Sequence, residues 1–137
     1  MKLIGIDPGK DGGIVLLDGN GKIGSKHKTP IINSTKAKDE YDIPGIKALI
    51  QELSEPNLEE VMAILEKGQP MPMSGVNAQF QRGFGFGMYQ GLFVGSGRSY
   101  HVVPPRTWQK AMFEGVNAED TKAASILVAK RLWPSED

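Results

Sequence analysis

Asp7 stands where an apolar strand runs into a glycine-rich turn, a placement that restricts the fold more than any other feature of the chain. The stretch 3–18, LIGIDPGKDGGIVLLD, opens on Leu3, Ile4 and Ile6. Pro8-Gly9 breaks that run, and Gly12-Gly13 opens a second one from Ile14 to Leu17. Two β-rich runs separated by a Gly/Pro turn read as a hairpin, with Asp7 at the end of its first strand. An ionised carboxylate beside apolar strand residues is costly unless it is paired or binds a cation. The remaining sequence can therefore be searched for partners of Asp7.

The 137 residues are enough for one domain, 1–137, with a real core, and the hydrophobic and charged fractions of 39% and 23% are ordinary for a globular protein. No apolar run approaches a membrane span and the first residues lack a signal-peptide pattern, so no membrane partner and a cytoplasmic location are expected. Cysteine is absent, which excludes disulfides, thiolate chemistry and Cys-built zinc sites. With two histidines, a metal would be held mainly by oxygen ligands, which favours Mg²⁺ or Mn²⁺.

Sixteen basic residues balance sixteen acidic ones, yet the two are segregated. No Asp or Glu occurs from Lys67 to Phe113, a span that holds Lys67, Arg82, Arg98, Arg106 and Lys110. Such segregation makes a local positive surface on a neutral protein. It is equally the composition of a buried Gly/aromatic region with few charges of either sign.

Along the chain, Asp18-Gly-Asn-Gly21 is a turn signal, and a third, more polar strand near a sheet edge is expected around Lys22 to Thr29. Pro30 to Tyr41 reads as a polar connection. Asp42 is placed to cap a helix over Ile43 to Leu53, with Pro44 in its first turn and Ile46, Leu49, Ile50 and Leu53 on one face. Glu55-Pro-Asn57 ends it. Val61 to Leu65 is a continuous apolar run, the pattern of a strand buried on both faces, and Glu66 terminates it. A second carboxylate thus repeats the Asp7 arrangement.

In the segment 75–97, Gly83, Gly87, Gly91 and Gly95 recur every four residues beside a stripe of Phe80, Phe84, Met88 and Leu92. Glycine costs roughly 1 kcal/mol per residue inside a helix. A helix here needs an offsetting gain, such as close approach of a strand or a partner helix to the glycine face; a Gly-rich loop is the alternative. Tyr100 to Val103 reads as a fifth strand stopped by Pro104-Pro105. A short helix from Arg106 to Phe113 follows, then a last helix from Ala118 to Leu132, capped by Asn117, with Ala124, Leu127, Val128 and Leu132 on one face. The order β-β-β-α-β-α-β-α points to an α/β fold, a mixed five-stranded sheet with helices on both faces. If the first and fourth strands are neighbours, Asp7 and Glu66 face each other, and two carboxylates so placed repel unless a divalent cation lies between them. Two such ions about 4 Å apart support phosphodiester hydrolysis.

IGIDPGKDGGIVLLD, VMAILEKGQPMP, the Gly/Phe segment, YHVVPPRTWQKAM and EDTKAASILVAKRLWP resemble, in that order, the RuvC-type Holliday junction resolvases of the RNase H-like superfamily, phage and bacterial branch. The resemblance runs from Lys2 to Pro134. It implies a homodimeric endonuclease resolving four-way or branched DNA junctions with Mg²⁺ or Mn²⁺ and no nucleotide cofactor. Asp7 and Glu66 become metal-binding carboxylates, and Lys122 the basic residue near the scissile phosphate. Gln79, Phe80, Gln81 and Arg82 become candidate DNA contacts, Phe80 as a stacking platform, and Pro105, Arg106 and Lys110 match a basic segment. The family's further carboxylates, in a DGxxDA-like helix, have no match before Asp137, so a C-terminally incomplete chain is expected, and one that as written binds metal poorly.

Taken singly, each residue has a plainer role: Asp7 as a turn carboxylate, Glu66 as a salt-bridged strand end, Lys122 as a solvated helix residue, Trp108 and Trp133 as core. Two other functions compete. A non-catalytic junction-binding protein would share the fold, and an actin- or sugar-kinase-like ATP-binding domain would share the opening hairpin, although such proteins need two domains of this kind.

Overall fold

The computed structural model describes residues 1–33, 39–56 and 60–136. In chain order they form β1 (Lys2–Ile6), β2 (Gly13–Leu17), β3 (Ile23–Lys28), β4 (Ile31–Ile32), β5 (Glu40–Tyr41), α1 (Ile43–Ser54), β6 (Val61–Glu66), α2 (Val76–Gly95), β7 (Tyr100–Val103), α3 (Pro105–Met112) and α4 (Thr121–Leu132). They divide into two compact units, Met1–Val102 and Val103–Asp137.

The main sheet has the order β3-β2-β1-β6-β7. β1 pairs antiparallel with β2, from Leu3↔Leu17 to Ile6↔Ile14, and parallel with β6, from Lys2↔Val61 to Ile6↔Leu65. The sheet is therefore mixed, as the order of elements implied, and β1 lies at its centre. β3 is an edge strand whose Lys26 and Lys28 are exposed, the usual protection of an edge against further pairing. Part of the expected polar connection instead pairs, Ile31↔Tyr41 and Ile32↔Glu40, in a separate two-stranded ladder. The remainder of that connection at 34–38, and Asn57, lie outside the described residues.

Ile4, Ile6, Ile14, Ala63 and Leu65 from the sheet form one core with Ile46, Ile50 and Leu53 of α1 and Tyr89 and Phe93 of α2. Each large side chain so buried is worth roughly 1.5–3 kcal/mol. Asp42 caps α1 as expected, its Oδ1 accepting from Gly45 N at 3.0 Å. Tyr41 just before the cap and Ile46 in the next turn both enter the core, the arrangement of a hydrophobic staple. In the second unit, α4 begins at Thr121 rather than Ala118, because Asp120 supplies the cap in place of Asn117; its Oδ1 accepts from Ala123 N at 2.8 Å. Of the expected α4 face, Ala124 and Val128 are buried while Leu127 and Leu132 are about half exposed, at 47% and 50%. Trp108 packs edge-on to Phe113, with ring centroids 5.3 Å apart.

The Gly/Phe segment is a helix, yet its glycine stripe does not do what the spacing implied. A Cβ added at Gly83, Gly87, Gly91 or Gly95 meets nothing within 4 Å, so no strand among the described residues approaches that line. The close approach is at Gly85, off the stripe, where a Cβ would collide with the Pro8 carbonyl and the Tyr41 hydroxyl. Gly85, Tyr89 and Phe93 form the buried line of α2. Gly85→Ala is accordingly expected to cost about 1–3 kcal/mol through overpacking. Gly91→Ala should stabilise the subunit by up to ~1 kcal/mol through helix propensity. Denaturant titrations of the two variants test this, and a shift of the same sign in both would contradict it.

Candidate functional site

The parallel pairing of β1 with β6 decides where the two carboxylates lie. Ile6 and Leu65 are the last partners in the ladder, so Asp7 and Glu66 are the residues that come next at the carboxyl ends of two adjacent central strands. Asp7 is exposed and Glu66 half-buried. Beyond Asp7 the chain folds back tightly: Asp7 N donates to Gly13 O and Gly12 N to Gly9 O, both at 3.0 Å. Gly9 N donates to Asp7 Oδ1 at 3.2 Å. A Cβ at Gly12 would collide with the Asp7 carbonyl and lie 2.9 Å from its carboxyl carbon, which is why glycine is needed there.

Asp7 opens onto a groove of about 910 Å³ lined by Gly9, Lys10, Asp11, Gly12 and Tyr41 on one side, and by Gly75, Asn77, Ala78, Gln81 and Arg82 on the other. The second group is the start of α2, whose first turn has no side-chain cap and no acidic residue. Unopposed N–H groups there favour an anion. Arg82 and these N–H groups make the α2 wall of the groove cationic, whereas the turn side carries Lys10 together with the carboxylates of Asp7 and Asp11. Both cations also brace the chain: Lys10 Nζ donates to Asp39 O at 2.7 Å, and Arg82 Nη1 to Ser74 Oγ at 3.1 Å.

The structure thus brings Asp7, Gln81 and Arg82 into one groove. Gln79 is exposed and holds the Ser74 carbonyl at 3.1 Å. Phe80, 66% exposed, lies over Phe84 and borders a smaller adjoining cavity with Glu40, Tyr41 and Gln81. Lys122, at the start of α4, and Arg106 and Lys110, one turn apart on α3, are exposed residues of the second unit. Lys10, Asp11, Asn77 and Tyr41 escaped the sequence reading. Only Tyr41 carried a signal, as an aromatic directly before a helix cap.

Among the described residues no group of three or more His, Cys, Asp or Glu side chains is placed to hold a metal ion. A divalent cation that keeps several waters needs only one or two carboxylates together with substrate phosphate. The described residues do not supply a two-ion set.

Below the groove two tyrosines are perturbed. Burial raises the Tyr41 hydroxyl, and the negative charges of Asp7 and Asp11 raise it further. Burial pushes Tyr89 up to about 12. The Tyr89 hydroxyl is buried without a well-formed hydrogen bond, and the neighbouring Thr29 side chain offsets part of the effect of burial.

No protein-family model and no curated protein matches the sequence. Solved structures do. RuvC of T. thermophilus in complex with a Holliday junction substrate superposes with a TM-score of 0.70 at 15% identity, covering 100% of this chain and 82% of that one. A second Thermus thermophilus RuvC structure gives a TM-score of 0.60 at 17% identity with the same coverage. These likenesses make the fold RuvC-like, of the RNase H-like α/β class.

Because Tyr89 ionises less readily folded than unfolded, its contribution to stability is complete below pH 10 and is lost as the pH rises towards 12. Urea midpoints should therefore fall between pH 9 and pH 11 by less in Tyr89→Phe than in the wild type. The substitution should be near neutral at pH 7, since the buried hydroxyl it removes makes no well-formed hydrogen bond. An unchanged alkaline slope would refute the assignment.

Proposed function

We propose that this chain, which has the RuvC fold, is a structure-selective endodeoxyribonuclease that hydrolyses phosphodiesters at four-way or branched DNA junctions with the help of a divalent cation, Mg²⁺ or Mn²⁺. The observation that carries the reading is the parallel register of β1 and β6, whose last pair Ile6↔Leu65 immediately precedes Asp7 and Glu66, with Asp7 opening onto a groove lined by Lys10, Arg82 and the uncapped start of α2. Ligands of open α/β sheets bind outside the carboxyl ends of the strands. One of the solved neighbours is RuvC bound to a Holliday junction, which supports branched DNA as the substrate here.

Asp7 and Glu66 would hold the cation, and Gly9 N–H keeps the Asp7 carboxylate in place. When bound, the cation activates water and neutralises charge on the phosphate oxygens. Lys10 and Arg82 attract the phosphate backbone, a contribution that weakens with salt. Asn77 and Gln81 present amides to the same groove, and Phe80 an exposed ring on which an unpaired base can stack. Lys122, Arg106 and Lys110 are exposed cations of the second unit, and the resemblance in sequence is what makes them DNA-contacting residues here. The substrate places the protein in the cytoplasm of a bacterial or phage-infected cell. Paired nicks across a junction call for a homodimer, and the open glycine line of α2 offers a second copy a close-packing face.

A second reading, a junction-binding protein that does not cut, draws on the absence of a three-ligand cluster among the described residues. Synthetic four-way junctions separate the two. Binding with Mg²⁺- or Mn²⁺-dependent nicking is expected; binding without nicking in either metal selects the second reading, and no binding refutes both. Asp7→Asn and Glu66→Gln should each abolish nicking while junction affinity changes less than about threefold, because the phosphate contacts that dominate affinity are left intact. Retained cutting by either variant would overturn the metal assignment. Sedimentation at micromolar concentration should show a dimer, and a monomer with and without DNA would count against it.

A further inference from the structure

The Asp7 carboxylate is held by one peptide group, and the other side of that peptide is held from outside the turn. Gly9 N–H donates to Asp7 Oδ1 at 3.2 Å. The carbonyl of the same peptide unit, Pro8 O, accepts from the Tyr41 hydroxyl at 2.8 Å. In a trans peptide the C=O and N–H point in opposite directions, so fixing one fixes the other. The next carbonyl along, Gly9 O, is held likewise by Thr29 Oγ1 at 3.1 Å.

Tyr41 is itself immobilised. It is 6% exposed, and its ring stacks on Phe84 of α2 with centroids 5.6 Å apart. Its backbone pairs with Ile31, and the next residue, Asp42, donates to Pro30 O at 3.0 Å and caps α1. Gly85 leaves the gap in α2 that admits both the hydroxyl and the Pro8 carbonyl. The hydroxyl also lies 3.4 Å from the Gln81 carbonyl.

We propose that Tyr41 is a positioning residue for Asp7: its hydroxyl orients the Pro8–Gly9 peptide so that Gly9 N–H aims the carboxylate into the groove, with Gly85 keeping α2 close enough to complete the lock. The consequence for cation binding rests on the nuclease reading above, whereas the lock itself does not.

Tyr41→Phe removes the hydroxyl and keeps the ring on Phe84. Amide exchange at Gly9 and Gly12 should quicken about tenfold, with the amides of Ile4 and Leu65 unchanged, since a lost hydrogen bond to a buried acceptor loosens only its neighbourhood. The Mn²⁺ concentration that half-broadens the Gly9 and Gly12 resonances should rise about as much. Equal turn exchange in Tyr41→Phe and wild type would overturn the proposal. Should Tyr41→Phe fail to fold, the bond is read in the wild type as a slowly exchanging Tyr41 hydroxyl proton, and its absence is equally fatal. If wild-type protein shows no Mn²⁺ broadening at the turn, the metal reading fails, and the exchange data alone decide the lock.

Discussion

Parallel pairing of β1 with β6 is the constraint on which the candidate site depends. A carboxylate stands at the end of β6 and just past the end of β1, and neither is informative until the ladder makes those strand ends neighbours. Carboxylates are tolerable at strand ends open to a groove, where water or a cation can screen them, and would be prohibitive inside the sheet. The hydrophobic ladder beneath them, Ile4 with Ala63 and Ile6 with Leu65, holds the pair in register because a slip of one residue would send that whole set to the other face.

The second determinant is how closely α2 lies over the carboxylate turn. Gly85 lets the helix backbone come down onto Pro8 and Tyr41, while Tyr89 and Phe93, one and two turns further on, anchor it in the core. The same approach brings the start of α2, with Gln81 and Arg82, across the groove from Asp7. The carboxylates and their cationic wall are therefore joined mechanically: a change that lifts α2 also opens the groove.

Much of this was legible beforehand. The Asp7 turn, the strand ending in Glu66, the Asp42 cap and the edge character of β3 all follow from local rules that act over a few residues, and each appears where those rules put it. The resemblance named the fold that the solved RuvC structures share. The start of α4 was misplaced because Asn117 and Asp120 are both competent caps, and only the geometry of the helix end chooses between them.

By itself the sequence determined the strands of the main sheet, the helices, their order and the carboxylates at two strand ends, since turn residues, caps and apolar periodicity act at short range. Tertiary structure alone decided which glycine of α2 is needed, which residues line the groove and what holds the Asp7 turn. A four-residue repeat marks a helix face without saying what lies against it, so the conspicuous glycines proved to be the open ones and Gly85 the confined one. Tyr41 looked like the end of a polar connection, and its role arises from a contact with Pro8 far away in the chain. Such contacts are set by packing, which no local pattern records.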